Sequence, residues 1–525
     1  MGYIVNVGTF HGICKRILLD NEVLSYDQKQ IQEYQYKQAF SKIIDNPNLD
    51  DIMSYINYQK CYLKGENDTF VYKESGYTEE QLRVFYKKYE QIKKSLKLYD
   101  FNDLLIKTYE LQKQLKLTYE YVLVDEYQDS NLIQNKLLEQ WCQSGNLFTV
   151  FDVKQSLYEW NGAVPSYCME FEKHWKGAKV INLNTNYRSA KNIVEKANDF
   201  IKPYYQHYEH HKDSVAHKTN DGEITLDTFV DREEEGVCVA NKIEQLIANG
   251  TEPRDIAVLY RNNKHAEYVE SQLKRKGIEY EISNGASFFD RKEIAAVINI
   301  LRLLVNPHDD MALDKLYEIR IYPLMYFSKV IYKNIKSHAG THNLSYFESF
   351  CGFHKYDKYQ KRNQAEFEKS IQQLRLQKDK GVSLKQLLNN IIKAFRLEKY
   401  IYDSSSNTEE AEDRLGSFNV LRGLAKSDDI DKLLSFASQG LDFKKKKKNA
   451  VKLMTLHGSK GLEFLNVFLI GVEDRAFPSE KATLLEEARL FYVGISRSIE
   501  NLYLSQIGKE NQFIKEYFGE SLVEQ

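Results

Sequence analysis

The sequence Val124-Asp125-Glu126-Tyr127-Gln128-Asp129 sets two adjacent carboxylates at the end of a short apolar run, Tyr121 to Val124. A strand that delivers such a pair into a cleft suits nucleotide hydrolysis. The first carboxylate can hold Mg2+, directly or through water, and the second can accept a proton from attacking water. Acidic pairs also begin many ordinary surface turns, so this one needs support from its neighbours.

Support comes after two further apolar runs. Asp152-Val153-Lys154-Gln155-Ser156-Leu157-Tyr158-Glu159-Trp160 follows Leu147 to Val150. Gln155 has the chemistry to sense a terminal phosphate or to orient water. Tyr158 and Trp160 offer faces on which unpaired bases stack, the plain alternative being aromatics packed beneath a loop. Asn186-Tyr187-Arg188-Ser189 follows Val180 to Leu183, so Arg188 can reach an anion at the sheet edge. Arg497 ends Tyr492-Val493-Gly494-Ile495-Ser496-Arg497, beyond an acidic helix start at Glu486-Glu487. Two arginines from separate cores facing one phosphate would stabilise transition-state charge. Taken singly, each reads as a surface ion-pair partner. Leu456-His457-Gly458-Ser459-Lys460-Gly461-Leu462-Glu463-Phe464 wraps two glycines around a polar turn before a strand, an arrangement suited to a phosphate or sugar contact.

The elements that position these residues are short and buried in pattern. Tyr121–Val124, Leu147–Val150 and Val180–Leu183 read as three buried strands of a parallel sheet with helices on both faces, and polar residues fall at their carboxyl ends, where such sheets bind ligands. Ile256–Tyr260, Val467–Ile470 and Leu502–Leu504 read as strands of a second α/β core. Residues 15–95 are polar and rich in Tyr and Lys, with helical spacing at Tyr34, Phe40 and Ile43. Residues 310–448 are mostly helical in pattern and end in the run Lys444 to Lys448, which reads as a solvated linker, with a phosphate-binding arm as the alternative. At 525 residues, with 42% apolar and 28% charged side chains, the chain has material for several buried cores, which excludes a disordered or collagen-like class. Lys plus Arg (73) nearly balance Asp plus Glu (75), so any nucleic-acid surface must be local. No apolar run reaches a membrane-spanning length, and no signal-peptide pattern opens the chain. Six scattered cysteines without a C-x-x-C argue against zinc and predict a reducing, cytoplasmic setting.

Together these segments resemble the UvrD/Rep/PcrA family of superfamily 1 DNA helicases. Thr9-Phe10-His11-Gly12 resembles the family's TFH segment. Leu98-Tyr99-Asp100-Phe101-Asn102-Asp103-Leu104-Leu105 resembles its DFDDLL segment, with Asn102 in place of an acid. VDEYQDS, QSLYEW, NYRS, AVLYRNN, SFFDRKEI, LMTLHGSKGLEF and YVGISR resemble the rest, in order, as far as about Ser505. The resemblance implies two RecA-like parallel-sheet cores with inserted, mainly helical accessory domains. The first core would comprise residues 1–15 and 96–198, N-terminally incomplete, with an insertion at 16–95. The second would comprise 199–310 and 449–525, with an insertion at 311–448.

The resemblance also implies roles. Asp125 would order Mg2+ and Glu126 activate water. Gln155, Arg188 and Arg497 would contact the γ-phosphate of ATP, with Arg497 as an arginine finger. Tyr187 would stack on adenine, and Gly461 and Glu463 would line the nucleotide cleft. Thr9, His11, Tyr158, Trp160, Arg261, Asn263 and His457 would touch single-stranded DNA. The implied activity is ATP-dependent unwinding or translocation, 3′→5′, on single strands and DNA junctions, with no membrane.

The departures are as informative. The family's Gln motif and phosphate loop, G-x-x-x-x-G-K-[ST], find no match in residues 1–525. Missing with them are the backbone amides and Lys that cradle the β- and γ-phosphates, and a hydroxyl that holds Mg2+. Phe151 stands where the family has Gly, and Asn161 where W-R-G is usual. The reading is therefore a truncated or split helicase, the latter with a second polypeptide supplying the loop. Its rival is a helicase-like subunit that binds DNA or a partner without hydrolysis.

Overall fold

The computed structural model describes residues 5–44, 47–159, 162–283, 288–405, 408–425, 428–438, 449–479 and 482–519. Trp160, Asn161 and the run Lys444–Lys448 lie outside them. The chain forms two compact units. One is Met1–Asp221 with Pro478–Ser496 and Lys515–Gln525, and the other is Gly222–Phe477 with Arg497–Ile514.

The first unit contains three parallel strand pairs: β1 (Lys29–Gln30) with β2 (Leu98–Tyr99), β3 (Val122–Val124) with β4 (Leu147–Thr149), and β5 (Thr185–Asn186) with β6 (Val215–Ala216). The sequence expectation of three buried strands needs correction here. Val180–Leu183 forms no strand, and the chain pairs only from Thr185 onward. Leu123 is 75% exposed, and Phe148 is 62% exposed. An apolar run reports a preference for extended backbone. It does not report what covers each face, and a pair of three-residue strands leaves alternate side chains in solvent.

Helices Leu49–Cys61 and Glu79–Leu96 dominate the Tyr-rich stretch, around a core of Phe40, Phe85, Tyr86 and Tyr89. Thr78 and Asp100 begin the helices Glu79–Leu96 and Phe101–Leu115 with reciprocal capping boxes, each satisfying two otherwise orphaned amides. One buried ionic cluster locks three of these helices. Lys60 Nζ lies 2.6 Å from Asp100 and 2.7 Å from Asp103, and Lys93 Nζ lies 2.7 Å and 2.8 Å from the same residues. Glu90 completes it at 3.1 Å from Lys60 and 2.8 Å from Lys93. Burial opposes both charge types, but mutual attraction wins. The carboxylates hold Lys60 well above its usual pKa, and the two ammoniums hold the Asp100 carboxyl far below its own.

The second unit is built on a six-stranded, wholly parallel sheet. Its strands are β7 (Ile224–Phe229), β8 (Ile256–Tyr260), β9 (Tyr280–Ile282), β10 (Val451–Thr455), β11 (Phe464–Glu473) and β12 (Ser498–Ile507), in the order β7-β12-β11-β8-β10-β9. β8 is buried along its whole length, as a continuous Ile-Ala-Val-Leu-Tyr run in a doubly covered sheet requires. A separate helical core gathers Phe288, Leu301, Phe350, Phe367 and Leu421 from residues 288–437. No described helix is long and apolar enough to cross a membrane, and all six cysteines are free.

All three tryptophans of the chain, at 141, 160 and 175, belong to the first unit, so their fluorescence follows it selectively. Asp100→Asn leaves two buried ammoniums short of a counter-charge and should cost that unit about 3–5 kcal/mol in urea unfolding followed by tryptophan emission. Because the folded-state pKa of Asp100 is depressed, its contribution is present above the unfolded value and lost as pH falls. The gap between parent and variant should therefore narrow below about pH 4.

Candidate functional site

In the first unit, β3 ends at Val124 and delivers Asp125 and Glu126, both exposed, at its carboxyl end. Glu126 has a left-handed backbone, φ 52° and ψ 39°, which reverses the chain immediately after the strand. The Glu126 amide donates to Asp125 Oδ1 at 3.0 Å, fixing the two carboxylates relative to each other. Buried Gln128 then joins two segments. Its Nε2 donates to Glu126 Oε2 at 2.6 Å, and its Oε1 accepts from the Asp152 amide at 3.1 Å. Asp152 Oδ2 in turn accepts from Gln155 Nε2 at 2.8 Å. Glu126, Gln128, Asp152 and Gln155 thus form one hydrogen-bonded chain across the ends of β3 and β4. The sequence reading picked out Glu126 and Gln155 but not the two residues between them. The signal was there, in an amide and a carboxylate at the ends of neighbouring strands.

Arg188, half-buried, donates from its Nη1 to the Ser496 carbonyl at 3.3 Å, while Asn186 Oδ1 caps its amide at 2.9 Å. Tyr187 is exposed, its ring tilted against His217 at 4.7 Å. Thr9 caps the helix Phe10–Asp20 through Gly12 N at 3.2 Å, and half-buried His11 packs edge-on against Phe101. Tyr158 is half-buried, with burial raising its hydroxyl pKa. Trp160 lies outside the described residues.

A second feature was not legible in the sequence. Helix Leu484–Ile495 packs within the first unit through Arg489, whose guanidinium pairs with Glu159 and donates from Nε to Tyr205 Oη at 2.6 Å. The Tyr205 hydroxyl donates onward to the Val153 carbonyl at 2.8 Å. Lys154 Nζ sits 5.5 Å from the Tyr492 ring centre of the same helix. The loop carrying Gln155 and Tyr158 is therefore held near both its ends, at Val153 and Lys154 and at Glu159.

In the second unit the parallel register sorts the predicted residues to opposite ends. Thr455 lies opposite Tyr260, and the Leu456 amide donates to the Tyr260 carbonyl at 2.9 Å. Arg261, Asn263 and His457 accordingly gather at the carboxyl ends of β8 and β10. Burial, aided by the Arg261 charge, holds His457 down at a pKa of about 4, so its ring is neutral at neutral pH. At the other end Phe464 pairs with Ser498. Arg497, 1% exposed, donates to the Leu462 carbonyl at 3.2 Å, and the Phe464 amide donates to the Arg497 carbonyl at 3.0 Å. Gly461 has φ 80°, a turn that L side chains resist, and Glu463 is exposed beside it. With roughly 3.3 Å per residue along a five-residue strand, the two groups lie some 15 Å apart.

Among the described residues, the one set of three acidic, His or Cys side chains close enough to share a cation is Glu90, Asp100 and Asp103, and two lysines already fill its centre. Asp125 and Glu126 instead offer a pair of solvent-exposed carboxylates, each holding one hydrogen bond described above. That donor set fits Mg2+ carried in by phosphate and retaining most of its water.

Residues 3–176 match the model of the UvrD/REP helicase N-terminal domain, and residues 181–509 match that of the UvrD-like helicase C-terminal domain. The chain is 30% identical to the ATP-dependent DNA helicase PcrA of Bacillus subtilis (strain 168), an alignment covering 95% of this chain and 72% of that protein. It is 28% identical to the protein of that name from Staphylococcus aureus (strain Mu50), over 99% of this chain and 77% of the relative.

The clamp on the loop predicts an asymmetry. Arg489 is the buried partner and Glu159 the more open one, with side-chain exposures of 3% and 32%. Glu159→Ala strands a buried guanidinium and should cost about 3–5 kcal/mol. Arg489→Met leaves a carboxylate that water can reach and should cost about 1–3 kcal/mol. Urea unfolding of both variants checks the order.

Proposed function

The chain belongs to the UvrD/Rep/PcrA family of superfamily 1 helicases, and from that premise we propose that it is the motor portion of an ATP-dependent DNA helicase or translocase moving 3′→5′ on single strands. The observation that carries this reading is the hydrogen-bonded chain from Glu126 through Gln128 and Asp152 to Gln155. It ties an exposed carboxylate at one strand end to the loop that presents Tyr158, so a change at the nucleotide side is felt where bases would stack. We further read residues 1–15 and 96–198, and 199–310 and 449–525, as the two RecA-like cores, with insertions at 16–95 and 311–448.

ATP with Mg2+ supplies the phosphoryl group and the free energy. The protein's own residues have these parts. Asp125 would hold Mg2+, directly or through water. Glu126, its carboxylate oriented by Gln128, accepts a proton from water, and Gln155 orients that water. Arg188 and Arg497 neutralise charge on the γ-phosphate. Tyr187 offers its exposed ring to adenine, and Gly461 and Glu463 face the nucleotide. Thr9, His11, Tyr158, Trp160, Arg261, Asn263 and His457 contact single-stranded DNA, His457 as a neutral ring.

Residues 1–525 contain no G-x-x-x-x-G-K-[ST], and on this reading the cradle for the β- and γ-phosphates is supplied by a segment outside them, on the same polypeptide or on a second one. The 525-residue chain alone should show a DNA-stimulated ATPase rate roughly 10²–10⁵ below that of the same chain given such a segment. Restored turnover should disappear with Glu126→Gln while single-strand binding stays. Restoration without turnover would instead favour a subunit that binds DNA without hydrolysis. Rapid turnover by the 525-residue chain itself, abolished by Glu126→Gln, would mean that these residues supply a cradle of their own.

A further inference from the structure

The Tyr-rich insertion carries an aromatic and cationic feature that the assignments above leave unused. Helix Leu49–Cys61 ends beside the loop of Tyr158, and their contact is close: a Cβ placed on Gly162, whose φ is 88°, would lie 2.7 Å from Cys61 Cβ. Only glycine fits there, so the loop seats directly on the helix end. The buried Asn131 side chain donates to Cys61 Sγ at 3.5 Å from the other side. Two half-buried rings stand at this end of the helix. Tyr58 and Tyr62 have centroids 4.9 Å apart at 45°, and the Tyr62 hydroxyl is near enough to Glu159 to be affected by its charge.

A third side chain is brought to them by a dedicated clamp. Buried Gln59 accepts from the Val71 amide at 2.8 Å and donates to the Val71 carbonyl at 2.7 Å, pinning an extended segment to the helix. That pinning sets Lys73 Nζ over the Tyr58 ring, 4.8 Å from its centre. Burial lowers the Lys73 pKa, with Asp51, Cys61 and Glu486 acting in the opposite direction. Its ammonium has therefore lost part of its hydration on folding, and an incoming phosphate would meet a smaller desolvation cost.

We propose that Tyr58, Tyr62 and Lys73 form a subsite for unpaired nucleotides that continues the DNA contact of the Tyr158 loop, with bases on the tyrosine faces and a backbone phosphate at Lys73. Rings and a cation in one patch are what sequence-independent binding of single strands uses, because every base has a π-face and every nucleotide a phosphate. The subsite rests on the helicase reading, and its test separates the two.

The test is fluorescence anisotropy of a fluorescein-labelled oligothymidylate titrated with the purified chain at several salt concentrations. Tyr58→Leu with Tyr62→Leu, which keeps apolar bulk but removes the rings, should weaken binding roughly 5- to 150-fold with the salt slope unchanged. Tyr58→Phe with Tyr62→Phe should bind like the parent. Lys73→Met should reduce the slope of log K against log salt by about 0.7, one phosphate's worth on a single strand. If these variants bind as the parent does while Tyr158→Ala weakens binding, the subsite is overturned and the nucleic-acid reading stands. If the parent itself does not bind the oligonucleotide, both fall. Should the leucine pair unfold by tryptophan emission, Lys73→Met decides, and an unchanged slope overturns the proposal.

Discussion

A wholly parallel sheet has two chemically different ends, and the second unit is organised by that constraint. Every strand points the same way, so residues that follow a strand and residues that precede one are kept apart by the strand's length. The register does the sorting. Thr455 opposite Tyr260 fixes His457 near Arg261, and Phe464 opposite Ser498 fixes Arg497 beneath the Gly461 turn. The segment from His457 to Glu463 must then run from the carboxyl edge back to the amino edge within a few residues. A left-handed glycine at 461 suits the end of that return, where the chain has to turn into β11. One sheet therefore keeps the Arg261 and His457 end and the Arg497 and Gly461 end at fixed separation without any dedicated spacer.

The first unit solves a related problem with buried charge. Lys60 and Lys93 gather two carboxylates from the start of one helix and Glu90 from the later turns of another, and Arg489 gathers a loop carboxylate and a tyrosine from segments some 330 and 284 positions away. Such pairs add little net stability relative to a well-packed apolar contact, since desolvation offsets much of the attraction. What they supply is discrimination, because a buried cation tolerates few alternative partners. That is useful where a helix must meet a loop in one register although most of the chain intervenes.

These two units also mark how far the sequence could be read. Strand Ile256–Tyr260 was legible to the residue, because a strand covered on both faces must be apolar throughout. Val467–Ile470 was found inside a strand running from Phe464 to Glu473, whose polar and glycine positions blur its ends. Val180–Leu183 is apolar apart from Asn182, yet it forms no strand, since pairing depends on a neighbour that local pattern does not contain. At the site, side chains with unusual chemistry at strand ends stood out, Asp125, Glu126, Gln155 and Arg188 among them. Their supports did not. Gln128 looks like any buried glutamine, and Arg489 like one more charge on an acidic helix. Only tertiary structure shows which partner each one meets.

The geometry at Glu126 shows why those supports matter. A non-glycine residue in the left-handed region costs about 1–2 kcal/mol, yet glycine there would remove the carboxylate. The chain offsets the cost locally. The Glu126 amide binds Asp125, its carboxylate accepts from Gln128, and the Asp129 amide returns to the Glu126 carbonyl at 3.0 Å. At about 0.5–1.5 kcal/mol for a typical hydrogen bond, and more where a carboxylate is one partner, three such contacts suffice to hold the turn. The left-handed turn also ends β3 at once, so the second carboxylate projects beyond the sheet instead of extending along it. Gln128 has a single amide to share between Glu126 and Asp152. Any movement of the Asp152 loop is therefore transmitted through that amide to the orientation of Glu126, and the reverse holds equally.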